Sequence, residues 1–163
     1  MSIRDDLLYE LDQLNGAAGW AAVRAVGPSG VADVRIEVAS IETLGCEVAS
    51  LVVSSAALVT ADVDTLKAWS KRLAERVSYL LESLTPLEVD EENGELLMRS
   101  AQPQAMPRGR QYYELLLSAA GTDSVRFARY ESTKGVPGRD RVDMVLTRDV
   151  VGRLVEDLVL TMP

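Results

Sequence analysis

A chain of 163 residues, 47% hydrophobic and 26% charged, has the size and composition of one globular domain with a real core. It holds no histidine and one cysteine, Cys46, which excludes Ser-His-Asp and Cys-His catalysis, histidine-bearing metal sites, an internal disulfide and a cysteine-held cluster. The net charge of −8 argues against non-specific nucleic-acid binding, because phosphate contacts need a basic face.

The charge is uneven along the chain. Residues 1–60 carry 3 basic and 8 acidic groups, residues 61–100 carry 5 and 9, and residues 101–163 carry 9 and 8. A basic face can form only in the last third. No apolar run approaches the ~20 residues of a membrane helix. Asp5 and Asp6 stand where a signal peptide needs positive charge. The expectation is a cytoplasmic protein with no membrane association, one globular domain over residues 1–163, its N-terminal helix 2–15 peripheral.

In chain order, Ser2 can cap a helix with Asp5 and Asp6 in its first turn, where negative charge suits the helix dipole. Ile3, Leu7, Leu8, Leu11 and Leu14 recur at helical spacing, and Asn15-Gly16 is a stop. Residues 20–26 fit strand or helix; if they are a strand, the turn GPSG at 27–30 closes a hairpin. Val34, Ile36 and Val38 alternate with Arg35 and Glu37, a strand with one wet face. After the turn at 42–45, residues 46–59 are apolar on both sides around Leu51, Val52 and Val53, the mark of a central strand covered on both faces.

Leu66, Trp69, Leu73, Val77, Leu80, Leu81 and Leu84 form one stripe, predicting a helix over 62–84 that starts at Thr60 or Asp62 and stops before Pro86. Residues 87–101 read as a hairpin turning at Asn93-Gly94. Residues 102–110 read as a polar loop. Strands are expected at 111–119, 124–132 and 139–147, joined by AGTD and by the glycine-bearing stretch at 134–138, and a last helix begins at Thr147. LVTADV (58–63) and VLTRDV (145–150) echo each other, a weak internal pseudo-repeat. The fold class is α+β, an antiparallel sheet with helices packed on one face, in the order α-βββ-α-ββ-βββ-α.

The stretch KGVPGRD (134–140) lacks the spacing and the Lys-Ser or Lys-Thr of a phosphate-binding loop and is flanked by strands, so it reads as a turn with a modest basic rim. The acidic stretch 88–95 fails the calcium-loop pattern, with Gly94 at position five and Ala101 at position twelve counted from Asp90. The candidate binding set is Tyr112, Tyr113, Arg126, Arg129, Tyr130, Lys134, Arg139 and Arg141. Tyrosine and arginine are enriched at protein interfaces. Aromatics flanked by arginines on a sheet also serve single-stranded nucleic acids, although Glu114, Asp123, Glu131, Asp140 and Asp143 stand among them. For acid–base work, the candidates are Glu114, Glu131 and Asp143 on adjacent strands, with Tyr112 or Tyr113 nearby. No catalytic residue, metal ligand or cofactor is assigned.

The order α-βββ-α, followed by strands and a terminal helix on an acidic chain, is similar to that of the small acidic chaperones of bacterial secretion systems. The likeness is one of element order and charge, with no shared motif, and more strands follow residue 86 here. The favoured reading is a non-catalytic protein-binding module, a chaperone, adaptor or assembly factor whose partner is another protein or a second copy in a homodimer. The alternatives are a small-ligand site between sheet and helices, with or without carboxylate–tyrosine catalysis, and single-stranded nucleic-acid binding through residues 108–141.

Overall fold

Antiparallel strands with a two-residue side-chain period present one apolar face, and helices with an apolar stripe must cover it. The computed structural model describes residues 2–119 and 124–163 and has this arrangement. Among those residues, three helices and ten strands follow one another. They are α1 (Ile3–Asp12), β1 (Gly19–Gly27), β2 (Gly30–Ile41), β3 (Gly45–Ser54), a 3-10 turn (Ala56–Leu58) and α2 (Val63–Arg76). Then come β4 (Leu84–Asp90), β5 (Glu95–Ser100), β6 (Gln104–Met106), β7 (Gly109–Ser118), β8 (Val125–Thr133), β9 (Asp140–Val142), β10 (Met144–Thr147) and α3 (Arg148–Thr161). The AGTD connection lies outside the described residues.

All pairings are antiparallel, and the strands run across the sheet as β1-β2-β3-β8-β7-β5-β4. The three helices share one buried cluster with a single face of the sheet: Leu7 and Leu11 from α1, Leu66, Trp69 and Leu73 from α2, and Leu154, Val155 and Leu158 from α3. Opposite them lie Val34, Ile36, Leu51, Val53, Leu115, Leu117, Val125 and Phe127. Val53 is fully buried against the helices, and Val52, on the opposite face, is only 3% exposed although no helix among the described residues packs there.

Local chemistry sets most element ends. Ser2 Oγ accepts the Asp5 N–H at 3.1 Å and Thr147 Oγ1 accepts the Val150 N–H at 3.1 Å. Asp62 Oδ1 accepts the Thr65 N–H at 2.8 Å, so Asp62 rather than Thr60 is the cap of α2. The two echoed threonines are therefore not equivalent. Asn15 and Gly16, at φ 52° and 80°, end the first helical segment. Pro28-Ser29 closes the β1–β2 hairpin, which resolves residues 20–26 as strand. Asp90 accepts the Asn93 N–H at 3.0 Å and holds the tip of the β4–β5 hairpin. Thr147→Ala is expected to cost about 1 kcal/mol of stability through the lost cap, measurable as a lower urea midpoint with an unchanged slope.

Three predicted elements differ. The helix over 62–84 stops at Arg76: Val77 leaves the helical region at φ −85°, ψ 80°, and the Ser78 N–H turns back to Arg76 O at 3.1 Å. Val77, Leu80 and Leu84 remain buried from a non-helical path while Leu81 is fully exposed. The stripe spacing reported burial, not helix. The loop over 102–110 is a hairpin in which Met106 pairs with Gly109. A Cβ on Gly109 would stand 1.8 Å from Ser132 O, so only glycine fits where β7 meets β8. The strand over 139–147 is two short strands. β3 pairs with β8 only over Leu51–Val53, and the gap beyond is filled by β9 on β8 and β10 on β3.

Candidate functional site

Residues directly opposed in an antiparallel pair share a face, and neighbours along a strand alternate. Register therefore divides the eight predicted residues. Tyr112 faces Tyr130, Tyr130 faces Arg141, and Arg126 faces Leu116. These lie on the helix-free face, where Tyr112 and Ala128 are buried yet stand apart from the core cluster. Tyr113 faces Arg129 on the helix-covered side. Lys134 is exposed in the turn after β8, its N–H bonded to Arg108 O at 2.7 Å. The set is not one site.

The helix-free face is organised around Glu114, only 5% exposed. Its Oε1 accepts from Arg99 Nε at 3.0 Å and Nη2 at 2.6 Å, and also from Arg139 Nη1. Each guanidinium lies on a tyrosine ring. Arg99 is 4.6 Å from the Tyr112 centroid and Arg139 is 3.9 Å from that of Tyr130. The two rings are tilted against each other with centroids 6.4 Å apart. The result is a ladder Arg99–Tyr112–Tyr130–Arg139 with one carboxylate between its ends, in which cation–π contact and charge-assisted hydrogen bonds act together. Burial disfavours the Arg139 charge, but Glu114 and a hydrogen bond to Tyr112 outweigh it and raise its pKa further.

Beside the ladder lies a pocket of about 150 Å³, bounded by Leu97, Leu116, Ala128, Tyr130, Glu114, Arg126 and Arg139. Farther across the face, Trp20 is half exposed with the Arg35 guanidinium 5.9 Å from its ring, and Arg24 Nε pairs with Asp33 Oδ1 at 2.9 Å. The turn at 134–138, with Gly135 and Gly138 at φ 80° and 81°, delivers Arg139 onto this face. It is the turn the sequence implies, and it sets the direction from which that arginine enters.

Arg129 does different work. It is buried under the α2–β4 connection, donating from Nη2 to Glu82 Oε2 at 2.8 Å and Gln104 Oε1 at 3.1 Å, and from Nε to Gln111 Oε1 at 3.3 Å. Its guanidinium lies 4.4 Å from the Tyr113 ring, which stacks on Phe127 at 5.3 Å. Burial raises the Tyr113 pKa and the Arg129 charge partly opposes it. This network fastens the chain after α2 to β6, β7 and β8. Glu82 lies beyond the end of α2 at Arg76 and turns inward to meet Arg129.

The candidate acid–base set is not assembled. Glu114 faces the helix-free side, while Glu131 opposes Gln111 on the other and accepts from Gln111 Nε2 at 3.2 Å. Asp143 is exposed between β9 and β10. Among the described residues, no three acidic, cysteine or histidine side chains are placed to hold a metal ion.

Two groups escaped the sequence reading. Arg99 was missed because its partner Glu114 becomes adjacent only through the β5–β7 register. Tyr79 donates to Asp157 Oδ2 at 2.7 Å and Arg76 Nε to Asp157 Oδ1 at 2.6 Å, joining the end of α2 to α3. Burial and the Asp157 carboxylate push the Tyr79 hydroxyl far above its ordinary pKa, so it remains a donor. No family model, curated protein or solved structure matches this chain.

Proposed function

We propose that the protein is a non-catalytic binding module, a chaperone, adaptor or assembly factor that takes a segment of a partner protein on the helix-free face of its sheet. The observation that carries this reading is the arginine–tyrosine ladder around Glu114, on a face that no helix covers among the described residues. Tyrosine and arginine dominate the energetic centres of protein interfaces, and they do so when held in rigid, partly dry surroundings. Here the rings are fixed by strand pairing and the guanidiniums by Glu114. Trp20 extends the same face with a half-exposed aromatic surface.

A nucleic-acid reading has less support. Bases stack on open aromatic faces, but the Tyr112 and Tyr130 rings already carry Arg99 and Arg139. The helix–sheet layer is filled by Trp69, Leu73, Leu158 and Phe127, all fully buried, which leaves the small-ligand reading without a supporting cavity there.

The test is native mass spectrometry of the protein purified gently from its own host, repeated with Trp20→Ser and Tyr130→Ser. Tyr112 is unsuitable because it is buried. A stoichiometric partner chain that dissociates about thirtyfold more readily in either variant, with the circular dichroism spectrum kept, is the expected result for a loss near 2 kcal/mol. A complex indifferent to both substitutions, or a stoichiometric small-molecule adduct instead, overturns the reading.

A further inference from the structure

We propose that the pocket between Arg126 and Arg139 reads a carboxylate side chain, a glutamate or aspartate set between apolar residues, on the segment that this face binds. The inference rests on the binding-module reading and names the chemistry of its partner.

Size is the first argument. Pockets for small molecules and cofactors run to about 300–1,000 Å³. This one, at about 150 Å³, has room for a single side chain. Its lining is the second. Leu97, Leu116 and Ala128 supply an apolar floor, Arg126 and Arg139 supply positive charge, and the buried Glu114 carboxylate forms part of the wall. A phosphodiester backbone would leave that floor unused, and a polyanion would approach a chain of net charge −8. One carboxylate with apolar neighbours uses both halves.

The charge balance is the third argument. Glu114 Oε1 is shared by two guanidiniums, Arg99 and Arg139, so one negative charge serves two positive ones. Arg126 lines the same pocket. Arg99 holds Glu114 through both Nε and Nη2, so Glu114 keeps a two-point partner when Arg139 turns toward a ligand. A guanidinium carries five donors in a fork matched to a carboxylate. The Arg139 side chain is 38% exposed and follows Gly138 at φ 81°, so it meets the ligand from a tight turn at the rim rather than from the core. The Glu114 contact is itself the pattern for what an incoming carboxylate would receive.

The experiment is fluorescence polarisation with two labelled peptides. One has a single glutamate between two leucines in a serine–threonine background, and the other has glutamine in its place. They are titrated with the wild type, Arg139→Gln and Arg126→Gln, each checked for its fold by circular dichroism. The glutamate peptide should bind the wild type at least tenfold more tightly, with the margin narrowing as salt rises, and Arg139→Gln should erase the preference. Equal binding of the two peptides, failure of both to bind, a preference kept in both variants, or displacement of the glutamate peptide by a single-stranded oligonucleotide at low salt would overturn the inference. If that happens while the host partner still depends on Trp20 or Tyr130, the binding module stands without the carboxylate. If no partner chain depends on those two residues, both fall.

Discussion

Trp69→Ala should cost about 3–5 kcal/mol, a large part of the 5–15 kcal/mol that a domain of this size holds in reserve. Trp69 is fully buried on α2. Its Nε1 donates to Thr161 Oγ1 at 2.9 Å, Thr161 Oγ1 donates in turn to Asp157 O at 2.6 Å, and Arg72 Nη2 reaches Thr161 O at 3.0 Å. Truncation would open a cavity at the seam of the two helices and strip the Thr161 hydroxyl of a donor. Trp69→Phe keeps most of the apolar volume and should lose only about 1–2 kcal/mol through the missing hydrogen bond and the smaller ring. Urea unfolding followed by circular dichroism distinguishes them. A loss below 1 kcal/mol in the alanine variant would show that the helix seam is held elsewhere.

Arg129→Met should be nearly as damaging, at about 3 kcal/mol or more, because it strands a carboxylate. Glu82 is only 11% exposed at its side chain and Arg129 7%. Removing the cation leaves Glu82 buried without its partner. Among the described residues, Glu82 Oε1 and Arg129 Nη1 are buried and make no hydrogen bond to protein, so the pair is imperfectly satisfied even when intact. The double variant Arg129→Met with Glu82→Leu should therefore recover most of the loss, since replacing both members of a buried pair by apolar groups is often neutral. A double variant as unstable as the single one would mean that Gln104, Gln111 and the Tyr113 ring, rather than the ion pair, set the value of Arg129.

The candidate site was legible in part. The candidate list included Tyr112, Tyr130 and Arg139, which the structure gathers, and Tyr113 and Arg129, which it places behind the sheet. Adjacent strand residues must point to opposite faces, so a run such as Tyr112-Tyr113 can never supply one face with both rings. Arg99 had no signal of its own in the sequence. It is 15 residues from Glu114, and only the β5–β7 register makes them neighbours.

Local rules did carry far. The caps at Ser2, Asp62 and Thr147, the stop at Asn15-Gly16 and the hairpin turns depend on hydrogen bonds and backbone dihedrals spanning two to four residues, which the chain writes directly. The alternation of Val34, Ile36 and Val38 and the two-sided apolar run of β3 likewise needed no knowledge of their neighbours. The end of α2 at Arg76, the division of residues 139–147 between two partner strands and the meeting of Arg99, Glu114 and Arg139 were settled only by tertiary packing. Each turns on a contact between segments far apart in the chain. An apolar stripe says that a residue will be buried, but what it is buried against depends on which strands run side by side, and that choice is made by the whole sheet.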